Sequence, residues 1–377
     1  MISMRYDSTK LSIQSLLRPV SEAGIGLARL DERIGRSPVG QGWIERSHFT
    51  DACASLWIDG ELVHLEDLVL HDAGQDIRAP SHELTIARDV LRTRRKIASQ
   101  SPAWALSPEG MRSLRGANPM NGNAYSQDRH EAENDPMPPL ETKGNDNGAF
   151  SNAFDAELAE IDAVLARSEA VLANVTGPAR SSARERESLA YDLDWNEDER
   201  LDEWRGVLRQ NHNLPPVLQA LIALDAWTEL AVLQHAPWLG RLLAASILRE
   251  EGVTAAAHLV TFNLGLKSIA VDRRRHRDRE TRLLASAQGL IAATETGLKE
   301  HDRLALARQM MERKLVGRRS SSKLPELVEL VVAKPIVSSG MVSKILGVTP
   351  QAARRILAEL GLREMTGRGR FQAWGII

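Results

Sequence analysis

Apolar residues along this chain recur mostly three and four positions apart, the spacing of amphipathic helices, and two-residue alternation is rare before the C-terminus. The pattern predicts helices over 11–30, from Thr50 into Asp59-Gly60, over 81–97, 154–171, 195–208, 217–233, 240–250 and 254–269. A longer helix is expected to start in the exposed charge run Arg273 to Arg282 and to reach about Lys314. Two polar stretches, 116–152 and 176–187, lack periodic apolar residues and are rich in Asn, Gly, Pro, Ser and acids, the composition of linkers. The fold class read from this pattern is mostly α.

The clearest local pattern covers 324–377. Leu324, Leu327, Val328 and Val331 form the buried stripe of a first helix, which Pro335 interrupts. Met341, Val342, Ile345 and Leu346 mark a second short helix, entered through Ser338 or Ser339. Gly347 suits a tight turn that Val348 anchors. Thr349 is a good N-cap and Pro350 a good first helical residue, so a third helix runs to about Leu360 and stops at a left-handed Gly361. Residues 362–377 have hairpin character, with Thr366-Gly367-Arg368-Gly369-Arg370 at the tip and Phe371, Trp374 and Ile376 behind it. This order predicts a winged helix-turn-helix.

Charge sharpens the picture. The whole chain carries a net charge of −2, yet from 267 to 377 there are 22 Lys and Arg against 11 Asp and Glu. A basic C-terminal part on an acidic body suits a protein that presents one end to nucleic acid. Cys53 is the single cysteine of the chain, which excludes an intrachain disulfide. No apolar run is long enough to span a bilayer and no signal-peptide core is seen, so a cytoplasmic protein without a membrane partner is expected.

The third helix of the winged module carries Gln351, Arg354 and Arg355 on the side away from Ala353, Ile356, Leu357 and Leu360. Gln can bridge adenine and Arg guanine, and such residues near the start of a recognition helix meet base edges in the major groove. Arg368 and Arg370 on the hairpin tip, with Arg318, Arg319 and Lys344, are candidates for phosphate contacts. Ser339 and Thr349, at the starts of the second and third helices, complete the candidate DNA-binding set. The basic run Arg273-Arg274-Arg275-His276-Arg277 can also touch phosphates or form a solvated surface. Elsewhere, His64, His71 and His82 with Asp67 and Asp72 follow no compact ligand spacing, so no metal site is assigned. The acidic residues Asp192, Asp194, Glu197, Asp198, Glu199, Asp202 and Glu203 read as a solvated face.

Several segments carry a resemblance. Ser55-Leu56-Trp57-Ile58-Asp59-Gly60 followed by Leu65-Glu66-Asp67-Leu68 looks like the self-inhibitory helix of Fic-domain (Fido-like) proteins, with Asp59 where that motif has glutamate. Leu214-Pro215-Pro216 and the helix after it are similar to the approach to the Fic catalytic loop. His235, Pro237, Trp238, Gly240, Arg241, Leu242 and Leu243 resemble a shortened Fic signature. The resemblance implies a Fic-like helical body with a C-terminal winged helix. In Fic proteins the His is a general base, an acidic residue holds magnesium, and a glycine-rich loop binds a triphosphate. Here Ala236-Pro237-Trp238-Leu239-Gly240 supplies no carboxylate, no Asn and one Gly, so no catalytic residue and no cofactor is assigned. His235, Gly240, Arg241, Ser55 and Asp59 then stand as remnants of the motif, and a carboxylate such as Asp59 is expected to pair with Arg241. A narrower similarity is to the DUF1612 and helix-turn-helix family, common on plasmids of plant-symbiotic bacteria.

These readings divide the chain into an N-terminal helical region (1–106), a flexible linker (107–152), a degenerate Fic-like helical core (153–316) and a winged helix-turn-helix (324–377). The expected function is sequence-specific binding of double-stranded DNA by a homodimeric transcriptional regulator with an inactive Fic-like scaffold and a small-molecule or protein effector. Two alternatives stand beside it: an active Fic-type transferase of AMP to a protein hydroxyl, and a plasmid-maintenance or architectural DNA-binding factor.

Overall fold

The computed structural model describes residues 6–7, 11–75, 79–116, 195–255, 258–315, 323–366 and 372–376. The chain divides into two units, one of residues 1–120 with 198–377 and one of 121–197. Of the second, only 195–197 are described, and the architecture is that of the first. The expected helix over 154–171, the two polar stretches from 117 onward, and Arg318, Arg319, Arg368 and Arg370 all lie outside the described residues.

The fold is mostly α-helical. α1 (Ile13–Arg36) buries Leu16, Val20, Ala23, Leu27, Leu30 and Ile34, a stripe at alternating steps of three and four. It lies along α11 (Arg279–Arg313), the longest helix described. α7 (Pro216–Leu230) is apolar on nearly every side and runs through the centre. α6 (Glu197–Asn211) packs on it through Trp204, which stacks edge-to-face on Trp227 at 5.2 Å and donates to the Ala223 carbonyl. α8 (Leu239–Glu250) covers another side of α7, with Gly240 against the Trp227 ring; a Cβ there would come within 2.3 Å of the indole.

α2 (Gly40–Asp59) begins ten residues before the sequence pattern indicates, and it is buried along most of its length. Its buried Asp51 accepts from Arg94 of α4 (His82–Ser99) at 2.5 Å, from Asn263 at 2.8 Å and from the Leu264 amide at 2.9 Å. Arg94 also donates to the Leu259 carbonyl, and Asp31 of α1 accepts from the Ala255 amide and approaches the His258 ring. These side chains occupy backbone groups that a helix would use. The expected helix over 254–269 is therefore shortened to α9 (Phe262–Lys267).

Other boundaries move for local reasons. α3 (Leu65–Asp72) is a separate short helix. The linker expected from 107 starts later, because Ser107 caps α5 (Pro108–Arg115) by accepting from the Gly110 amide. The charge run 273–282 is not one helical start. A short α10 (Val271–Arg274) ends there, and Asp278 caps α11 by accepting from the Thr281 amide at 2.9 Å. No helix among the described residues is long and apolar enough to cross a membrane.

The C-terminal module runs α12 (Leu324–Ala333), β1 (Val337–Ser338), α13 (Ser339–Leu346), α14 (Pro350–Leu360), β2 (Arg363–Glu364) and β3 (Ala373–Gly375). Its antiparallel sheet has the order β1-β3-β2, with Val337 opposite Trp374 and Glu364 opposite Trp374 on the other side. This is the winged-helix arrangement, and β1 is the strand that the sequence pattern did not reveal. The module's core does not stop at its own boundary. Leu327, Val328, Val331, Leu357 and Leu360 share one apolar cluster with Leu30, Ile34, Trp43 and Leu304 of α1, α2 and α11.

Candidate nucleic-acid interface

The turn between α13 and α14 is built by short polar contacts. Ser338, rather than Ser339, is the N-cap of α13, accepting from the Met341 amide at 3.1 Å; Ser339 is the half-buried first residue of that helix. Gly347 ends the helix in the left-handed region at φ 63°, where a side chain is disfavoured. The Ser343 hydroxyl donates to the Val348 carbonyl and locks the turn. Thr349 caps α14 through the Ala352 amide, and Gly361 closes it in the left-handed conformation.

With α14 fixed at both ends, its two faces separate. Ala353, Ile356, Leu357 and Leu360 are buried, while Gln351, Arg354 and Arg355 are exposed on one side at spacings of three and four. Lys344 of α13 is exposed near the same turn, beside Ile345. The cations of the region fall into two sets. Lys334 pairs with Glu45 at 2.8 Å, Arg308 with Glu329, Lys323 with Glu326, and Lys314 donates to the Leu360 carbonyl. Lys344, Arg354 and Arg355 form no ion pair with any described residue. Cations left unpaired and exposed on a helix are available to an external anion.

The body sets where this face points. Arg46, buried within α2, donates to the carbonyls of Val331 and Lys334 and so closes the C-terminal end of α12. Gly42 lies so close to α12 that a Cβ would come within 2.4 Å of Val332. Gln75 accepts from the Ser338 hydroxyl and leans on Gly340, tying the start of α13 to the segment after α3. Arg303 of α11 holds the Ile376 carbonyl at the base of the wing. Arg46 and Gln75 carry no signal in the sequence, because their partners stand more than 250 positions away.

The segments of the Fic resemblance also meet. Arg241, at the start of α8, is buried and grips Asp59 with both terminal nitrogens, at 2.6 and 3.0 Å, and donates to the Ser55 hydroxyl at 2.9 Å. The expected Arg241–Asp59 pair is therefore present. His235 is half-buried in the loop between α7 and α8. Among the described residues no group of three or more His, Cys, Asp or Glu is placed to hold a metal ion, and Asp72 instead pairs with Arg95.

Residues 189–316 match the family described as protein of unknown function (DUF1612), and residues 324–377 match the family described as HTH DNA binding domain. The C-terminal module is thus a DNA-binding helix-turn-helix. Over 384 aligned positions, covering 99% of this chain and 100% of the relative, the sequence is 66% identical to the "Uncharacterized protein y4cF" of Sinorhizobium fredii (strain NBRC 101917 / NGR234).

Proposed function

The chain belongs to the family of that Sinorhizobium protein, and from this membership together with the reading face of α14 we propose that it is a sequence-specific regulator that reads double-stranded DNA. The observation that carries the reading is the exposed, unpaired set Gln351, Arg354 and Arg355 on a helix capped at both ends. Gln351 and the two arginines contact base edges, and Lys344 holds a phosphate beside them. Arg318, Arg319, Arg368 and Arg370, which lie outside the described residues, add phosphate contacts in this reading; Ser339 and Thr349 stand at the helix starts beside the same groove. A single winged module reaches few base pairs, which favours a homodimer on a palindromic site.

The helical body, in this proposal, is a Fic-like scaffold without transferase chemistry, and an effector acts through it. The clamp of Arg241 on Ser55 and Asp59 supports the scaffold reading, since it joins the two segments in which the resemblance resides. Selection of bound duplexes from a random-sequence pool tests the DNA reading. A recurring motif that Arg354→Ala alters is expected; recovery of unselected sequence contradicts it. Incubation with labelled ATP and magnesium tests the scaffold. Covalent label that disappears in His235→Ala would overturn it.

A further inference from the structure

We propose that the body carries a second phosphate-contacting surface, built by Lys267 and Arg274 at Trp57 together with Arg275 and Arg277 of the same run, which extends the DNA contact beyond the winged module. It rests on the DNA-binding reading above. Between Lys267 and Arg282 the cations divide as they do around α14. Arg279 and Arg282 are neutralised by Asp225 and Glu229 and serve the fold. Lys267, Arg273, Arg274, Arg275 and Arg277 form no ion pair with any described residue. Arg273 donates to Gln288 and Arg274 to the Ile269 carbonyl, which fixes the chain but leaves the charge uncompensated.

Two of the nearby carboxylates are engaged elsewhere, and Asp272 is the exposed one within the run. Asp59 is held by Arg241, and Asp278 caps α11. The indole of Trp57, 37% exposed on the last turn of α2, has the Lys267 ammonium and the Arg274 guanidinium each 5.5 Å from its ring. The ring holds the Lys267 ammonium beside the Arg274 guanidinium. Burial, then the like charges of Arg275 and Arg241, lower the Arg274 pKa against the opposing pull of Asp59. Such a surface gains by releasing counterions onto a polyanion.

The surface is linked to the winged module through α2. Trp57 stands eleven residues along α2 from Arg46, which touches α12, a rise of about 16 Å. That is about half the length of one turn of B-DNA.

The test uses the full chain and a labelled mixed-sequence duplex of about 30 base pairs, roughly three turns. Binding is measured across a salt titration for wild type, K267A/R275A/R277A and R354A/R355A. The three alanines replace exposed residues that make no described ion pair, and circular dichroism checks that the fold is kept. The triple variant is expected to bind about tenfold or more weakly, with the log–log salt slope reduced by about 0.9 for each phosphate it no longer neutralises. An unchanged affinity and slope would overturn this inference and leave the α14 reading standing. Absence of wild-type binding at any salt would overturn both. Loss in R354A/R355A together with an unchanged triple variant would restrict DNA contact to the winged module.

Discussion

Arg46 of α2 donates to the Lys334 carbonyl at 2.7 Å, so a residue of the N-terminal body closes the first helix of the DNA-binding module. It also reaches the Val331 carbonyl and lies 3.4 Å from Glu300 of α11. Burial lowers its pKa to about 10, and it remains charged at neutral pH because those acceptors surround it. Arg46→Ala leaves the Val331 and Lys334 carbonyls without this donor, while Glu300 keeps its bonds from Arg303. A loss of about 3 kcal/mol in urea-unfolding stability is expected. A loss below about 0.5 kcal/mol would mean that this contact does not hold the module.

Gly42 makes the same junction by absence of a side chain. A Cβ there would sit 2.4 Å from Val332 and 3.0 Å from its backbone, so α2 and α12 must separate to admit it. Gly42→Ala is expected to destabilise by roughly 2 kcal/mol through overpacking. DNA affinity should fall as well, because α12 carries the frame on which α14 is set. Unchanged thermal midpoint and affinity would show that the two helices separate freely.

The Arg241 clamp predicts coupling across 182 positions of sequence. Arg241 is nearly enclosed and Asp59 partly exposed, so removal of the arginine alone should cost about 2 kcal/mol. A double-mutant cycle with Arg241→Ala and Asp59→Ala should return a coupling of about 1–3 kcal/mol. Strict additivity of the two changes would contradict the pairing.

His48 gives the stability a pH dependence of known sign. Burial, then the neighbouring cations Arg94 and Arg95, push its pKa well below the usual value. The folded chain therefore keeps His48 neutral while the unfolded chain takes up a proton near pH 6.5. Its contribution is complete above that pH and is lost as the pH falls. Between pH 7.5 and 5.5 the loss is on the order of 1 kcal/mol. Unfolding free energies of His48→Gln should show that much less pH dependence than the native chain; identical slopes would sink the assignment.

The winged module was legible in sequence because its signals are local. Thr349, Pro350, Gly347 and Gly361 each set a cap or a turn within a few residues, and they stand where expected. β1 was hidden, since two residues paired to a strand over thirty positions away leave no periodic trace. The first half of α2 was hidden for another reason. A helix buried along most of its length shows no apolar stripe, and its buried Arg46, Ser47, His48 and Asp51 interrupt any apolar pattern. The non-helical course of 254–255 and 258–261 depends on Asp31 and Arg94, far away in sequence. Of the candidate site, the exposure of Gln351, Arg354 and Arg355 followed from helical spacing. The body contacts that orient them did not.

The central claim is that α14 selects DNA sequence through Arg354 and its neighbours. A genome-wide binding map of the native chain beside Arg354→Ala, in cells expressing equal amounts, tests it most directly. Discrete sites sharing a sequence motif, lost in the variant, are the predicted result. A map without discrete sites, or one that Arg354→Ala leaves unchanged, would contradict it.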